Sequence, residues 1–370
     1  MSSRIAYTAD RLFTGHEWLN RYAVIANGDQ IEDLLPLSDV PSALPVQHFD
    51  DCFLAPAFID LQIYGAHGRL LAVYPDTQSL DLLVDYCRQG GAAWCLPTVA
   101  TNTLDVFHAS INAVRAYWKS GGAGVLGLHL EGPWINPVKR GAHIASLIHA
   151  PQVEEVKALL DAGEGVIKMI TLAPEVCSPE IIEMILSRNI VISAGHSNAT
   201  YTEARKAFDT GIKTVTHLYN AMSPLQHREP GLVGATMDDP RVCASIIPDG
   251  YHADHAAIRI AKQVMKERLF VITDAVTDTA EGYYPHQLAG DKYISGGILS
   301  GSSLTMDRAV KNLVNETGIE TGEALRMCSL YPAQVIGIAD AYGRIAKGFK
   351  KALVAMNEQS LQATHLITGV

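Results

Sequence analysis

Four residues that could do chemistry stand just past short apolar runs. Glu131 follows the run at residues 125–128, His196 the run at 190–194, His217 the run at 213–216 and Asp274 the run at 269–273. Two neutral imidazoles and one carboxylate match a zinc-type site that keeps a position open for water. Glu131, His196 and His217 are therefore the candidate ligands. Asp274 is the candidate general base, able to take a proton from an activated water and pass it to a leaving group. A lone carboxylate at a strand end is as often a structural ion-pair partner, so the assignment depends on whether the fold gathers the four on one rim.

The elements that would do so alternate along the chain. Apolar, strand-like runs fall at 57–61, 93–99, 125–128, 166–172, 190–194, 213–216, 243–247 and 269–273. Amphipathic stretches separate most of them: TQSLDLLVDYCRQGG, TLDVFHASINAVRAYWKSGG, SPEIIEMILSRN and TYTEARKAFDTG. The first two end in Gly-Gly, a helix stop. Eight strands alternating with helices predict a closed (β/α)8 barrel, in which active sites lie at the C-terminal ends of the strands. A doubly wound open sheet is the alternative, but no glycine-rich dinucleotide fingerprint follows the first strand. Residues 1–53 read as short strands, with Asn27-Gly28-Asp29 as a hairpin signal, and 344–370 has the same texture. We expect these two segments to form one small β-sandwich domain, with the barrel at 54–343.

The bulk properties exclude several classes. The net charge is −10 and no long basic run is present, which argues against nucleic acid as a partner. No apolar run approaches the roughly 20 residues needed to span a bilayer, and the first residues lack the apolar core of a signal peptide. Six scattered cysteines without a CxxC pattern read as free thiols. The expectation is a cytoplasmic protein with no membrane partner.

Longer stretches around these residues carry a resemblance: PAFIDLQ (56–62), GLHLEGPWINPVKRGAH (127–143), AGHSNAT (194–200), THLYNAMSP (216–224), REPGLVGA (228–235), DGYHAD (249–254), TDA (273–275), LSGSSLTM (299–306) and LYPAQVIG (330–337). In this order the chain resembles the amidohydrolase superfamily, and more narrowly the family of N-acetylglucosamine-6-phosphate deacetylases. The resemblance implies hydrolysis of N-acetylglucosamine 6-phosphate to glucosamine 6-phosphate and acetate. It puts Glu131, His196 and His217 on metal-ligand positions and Asp274 on the acid/base position. It puts Ala142, His143, Asn220, Ala221, Arg228, His252 and a turn at Leu299, Ser300 and Gly301 on substrate-binding positions. It also implies a homodimer, or a dimer of dimers, with Arg228 reaching the sugar phosphate in the neighbouring subunit's site.

The chain departs from the superfamily at Gln62 and Tyr64, where many members carry His-x-His and bind two metals. Neither residue is a good ligand for a second divalent cation, so one divalent metal ion per subunit, Zn2+, is expected. Ala57 replaces a glycine usual in the family, and Lys350-Lys351 replaces small or acidic residues. His67, His227 and His255 read as rim or surface histidines, Met222 and Met306 as packing residues, and Trp134 as either pocket wall or barrel plug. Two other readings stay open: a different amidohydrolase activity, such as a deaminase or cyclic-amide hydrolase, and a sugar-phosphate-binding protein without catalysis.

Overall fold

The structure is a computed structural model, and it describes residues 4–369. The eight apolar runs form eight strands: Phe58–Ile63, Ala92–Ala100, Leu128–Glu131, Ile167–Leu172, Val191–Ala194, Thr214–Val215, Cys243–Ile246 and Leu269–Val271. They pair in chain order in one sheet, and the pairings recorded residue by residue are parallel. Beyond the last strand the sheet turns back on the first. Asp274 N–H donates to the Gln62 carbonyl at 3.0 Å and Tyr64 N–H to the Ala275 carbonyl at 2.9 Å. The result is a nearly closed barrel of the TIM type.

The third strand starts where the sequence places its end. Val125 makes only an isolated bridge to Cys95, and the strand proper runs Leu128–Glu131. Between the bridge and the strand lies Gly127, where φ is +155° and a Cβ would stand 2.5 Å from the Val166 carbonyl. The register then shifts between Leu128 and His129. Because side chains alternate along a strand, His129 and Glu131 share one face.

Helices behave as the apolar spacing demands. Leu104–Lys119 buries Phe107, Ile111, Val114 and Tyr117, at steps of three and four. Tyr201–Asp209 opens on a capping box between Thr200 and Glu203.

Inside the barrel, the layer beneath the rim is polar. His129 Nε2 lies 2.8 Å from Thr171 Oγ1, which lies 2.7 Å from Thr216 Oγ1, and Thr216 donates to Ser193 Oγ at 2.6 Å. His129 Nδ1 also contacts the Leu61 carbonyl at 3.0 Å. Burial lowers the His129 pKa to about 4, so this imidazole is neutral. Each group has a partner, which offsets the cost of burying it.

The chain forms two compact units. One comprises Met1–Asp60, Cys87–Trp94 and Thr305–Val370, and the other Leu61–Tyr86 and Cys95–Leu304. In the first, the terminal segments share one seven-stranded sheet, ordered Ala363–Thr368, Ala352–Asn357, Val46–Pro56, Arg4–Phe13, Tyr22–Asn27 and Gln30–Pro36, with Trp18–Asn20 paired to Arg4–Phe13. Its strands close over one apolar core that includes Leu12, Val24, Ile31, Phe49, Leu54 and Leu353. Asn27 pairs with Gln30 across Gly28-Asp29, the expected hairpin. Among the described residues no helix is long and apolar enough to cross a membrane.

Candidate active site

All residues of the site lie in the second unit. His196, His217 and Asp274 each have positive φ, +48°, +35° and +54°. L-residues adopt this conformation only against a steric cost. At each of these points the chain leaves the sheet direction, and three side chains turn to one place.

Glu131 stands at the centre. Its Oε1 lies 3.1 Å from His217 Nε2 and 3.3 Å from His196 Nε2, and the two ring nitrogens are 3.2 Å apart. Donors around a tetrahedral cation at about 2.0–2.1 Å stand roughly 3.3–3.4 Å from one another, so this triangle has the size such a cation needs. His196 Nδ1 donates to the Lys139 carbonyl at 2.9 Å, which leaves the Nε2 lone pair free to ligate.

His143 completes the group. Its Nε2 is 3.1 Å from Glu131 Oε2 and its Nδ1 is 2.7 Å from Thr101 Oγ1. The donor atoms of Glu131, His143 and His196 also lie within 4.8 Å of one another, as a metal-holding set must. The residue implied as a substrate contact thus reaches the ligand cluster as well. Burial opposes ionisation of Glu131, but the imidazoles of His196 and His143 outweigh it and hold the carboxyl well below the usual carboxylate range.

Asp274 has the opposite balance. Burial raises it, and the Glu131 and Asp249 carboxylates push the same way while His217 opposes them. Its Oδ1 accepts from Gln62 Nε2 at 2.8 Å. Its Oδ2 faces His252 Nε2 across 3.8 Å, a gap too long for a direct hydrogen bond. His252 is oriented from behind, with Nδ1 2.6 Å from Asp249 Oδ2.

One cleft brings together the cluster, Asp274 and most of the remaining expected positions: Ala142, His143, Asn220, Ala221, His252 and residues 299–301 all line it. Leu299, Ser300 and Gly301 are not in a turn. They form the middle of the strand Ile298–Ser302, and the turn falls earlier, at Gly296 and Gly297, where φ is positive. Arg228 is exposed and is not among the cleft-lining residues. Trp134 is fully buried and donates to Glu155 at 3.0 Å, so it packs rather than lines the cleft. Met222 and Met306 are buried too. His67 and His227 are exposed.

Several contributors carry no signal in a single sequence. Tyr284 and His286 stack at 6.3 Å between ring centroids on the cleft wall, and the Tyr284 hydroxyl donates to the Thr101 carbonyl at 2.6 Å. Burial lowers His286 to about 4. The Asp249–His252 pair is the one such feature open to detection, as a carboxylate three residues before an imidazole just past a strand.

Comparison with known proteins agrees with this geometry. Residues 53–367 match the model of the amidohydrolase family, and residues 5–49 match the NagA composite domain. The chain belongs to the amidohydrolase family. An N-acetylgalactosamine-6-phosphate deacetylase from Escherichia coli O157:H7 is 33% identical over 362 residues, 94% of either chain. The crystal structure of N-acetylglucosamine-6-phosphate deacetylase from Pasteurella multocida superposes with a TM-score of 0.94 at 33% identity, covering 99% of this chain and 98% of that one. An Asp→Ala variant of the Mycobacterium smegmatis deacetylase, solved in complex with N-acetyl-D-glucosamine-6-phosphate, gives 0.92 at 27% identity over 99% of this chain and 98% of that one. Within the family, this amidohydrolase therefore groups with the N-acetylhexosamine-6-phosphate deacetylases.

Proposed function

We propose that this amidohydrolase hydrolyses N-acetyl-D-glucosamine 6-phosphate to D-glucosamine 6-phosphate and acetate, in amino-sugar catabolism in the cytoplasm. The observation that carries the reading is the Glu131–His196–His217 donor triangle opening on a cleft with Asp274 on the same rim. The donor set, two imidazoles and one carboxylate, suits one Zn2+ per subunit. Such a cation would supply Lewis acidity toward a water and the acetamide carbonyl.

The chain's own groups do the rest. Asp274 Oδ2 takes the proton of the attacking water and returns it to the departing amine, a two-way role open to a carboxyl that burial raises to about 8 and that a bound cation would lower. His143, held by Thr101 and by Glu131 Oε2, stands in the cleft beside the cluster and fixes the substrate there. His252, fixed by Asp249, orients the sugar beside Asp274.

The 6-phosphate needs positive charge that the cleft lacks, since no Lys or Arg is among its described lining residues. Arg228, exposed on its loop, fits a homodimer in which each subunit lends an arginine fork to the other's phosphate site.

The Escherichia coli relative favours a second reading, in which the galacto epimer is the substrate. Acetate release from N-acetylglucosamine 6-phosphate, N-acetylgalactosamine 6-phosphate and unphosphorylated N-acetylglucosamine, with metal counted on the same sample, tests both. A gluco preference that requires phosphate supports the main reading, and a galacto preference replaces its substrate. No acetate from any of the three, with metal bound, would send the assignment to a different amide or to binding without catalysis.

A further inference from the structure

Glu131 and Asp274 are two buried carboxyls on one rim. Like charges so placed repel unless donors or a cation stand between them. The groups that stand there come from the end of the first barrel strand. Gln62 and Tyr64 are two residues apart, so strand alternation turns both side chains to the same side.

Gln62 Nε2 lies 2.8 Å from Asp274 Oδ1, 3.1 Å from Glu131 Oε1 and 2.7 Å from the Tyr64 hydroxyl. Tyr64 donates to Glu131 Oε2 at 2.5 Å, and its oxygen is 3.4 Å from Asp274 Oδ1. A phenol has one proton to give, and the short contact shows that Glu131 receives it. The two oxygens of Glu131 are thereby sorted. Oε2 is taken by Tyr64 and His143, and Oε1 is turned to His196 and His217 with the Gln62 amide beside it.

We propose that Tyr64 is a positioning residue for the metal centre. Its hydroxyl claims Oε2 of Glu131 so that Oε1 alone meets a cation, and with Gln62 it fills the space between the two carboxyls with neutral donors, keeping a second cation out. The inference rests on the reading of Glu131, His196 and His217 as ligands. The Tyr64 ring packs against the apolar cluster of Leu70, Val276 and Tyr284, so Tyr64→Phe removes the hydroxyl and keeps the packing.

The test uses the full chain loaded with Co2+. Affinity is measured by competition with a chelator, the visible Co2+ bands report coordination, and substrate kinetics are run at saturating metal. For Tyr64→Phe we expect a melting temperature near wild type, Co2+ binding weakened about tenfold or more, displaced Co2+ bands, and a fall in kcat with KM little changed. Affinity within twofold of wild type with superimposable bands overturns the proposal. Tyr64→His is the second arm, because an imidazole offers a lone pair where the phenol offers a proton. Its Co2+ stoichiometry should exceed that of wild type, and an unchanged stoichiometry overturns the exclusion of a second cation. The Co2+ readouts of both arms need no substrate. If wild type releases no acetate but Tyr64→Phe still loses Co2+ affinity, the deacetylase reading fails and this one stands. If wild type binds no divalent cation, the metal reading and this inference fall together.

Discussion

The Nε2 atoms of His196 and His217 face each other at 3.2 Å. Two imidazoles meet nose to nose either by sharing one proton or by ligating one cation, and the Glu131 carboxylate beside them suits a positive charge of either kind. Stripping the protein with a chelator should lower its melting temperature by several degrees, and about one equivalent of Zn2+ should restore it, because a ligand that binds only the folded state adds about 4 kcal/mol at a thousand times its Kd. His217→Ala should abolish this restoration. A melting temperature that ignores both chelator and Zn2+ would count against the ligand set.

Asp274→Asn keeps the shape of the side chain and its place beside Gln62 but cannot accept a proton. Turnover should fall by about 10²–10⁴-fold, while the affinity for a non-hydrolysable substrate analogue stays within a few-fold of wild type. Wild-type-like turnover would remove Asp274 from the mechanism.

The pH profile depends on the same carboxyl. Asp274 must be ionised to act as base, and burial raises it above the ordinary carboxyl range, so activity should fall on an acid limb that lies above that range. A bound cation pulls the limb down but leaves its direction unchanged. For stability the sign is reversed. A carboxyl whose pKa is higher in the fold than in the unfolded chain binds more protons when folded, so between those two values a rise in pH costs the metal-stripped protein stability. Measuring kcat/KM against pH at saturating metal, and melting temperature against pH after chelation, checks both slopes, with Asp274→Asn as the control that should flatten the second.

Arg228→Ala should act on the phosphate and on nothing else. A charge-assisted hydrogen bond contributes about 1.5–3 kcal/mol, so KM for the sugar 6-phosphate should rise about ten- to hundredfold with kcat little changed. Activity on the unphosphorylated sugar should be unaffected. Mixing this variant with an Asp274→Asn variant should restore part of the activity if the arginine works across a dimer, and no restoration would place it within its own subunit.

Gly132 has φ +84°, and a Cβ built on it would stand 2.1 Å from Thr101 Oγ1, the hydroxyl that holds His143. Gly132→Ala should therefore cost about 1–3 kcal/mol of stability and displace His143. A thermal melt should show a fall of several degrees, together with a loss of turnover larger than the loss of metal affinity.

The sequence by itself determined the parts. Eight apolar runs separated by amphipathic stretches specified a barrel, because the period of burial is written in neighbouring residues. Polar residues just past those runs named Glu131, His196, His217 and Asp274, because a parallel barrel gathers the C-terminal ends of its strands on one rim. The hairpin at Gly28 is equally local. What only the tertiary structure decided is how residues far apart in the chain meet. Gln62 and Asp274 are 212 positions apart yet hydrogen-bonded, and no pattern within the chain announces that contact. The positive φ of His196, His217 and Asp274, the start of the third strand only at Leu128 and the two-sided partition of Glu131 between Tyr64 and His196 all belong to the packing between elements. Gln62 and Tyr64 show the difference most clearly: as residue types they are poor ligands, and only their placement between two carboxyls makes them part of the site.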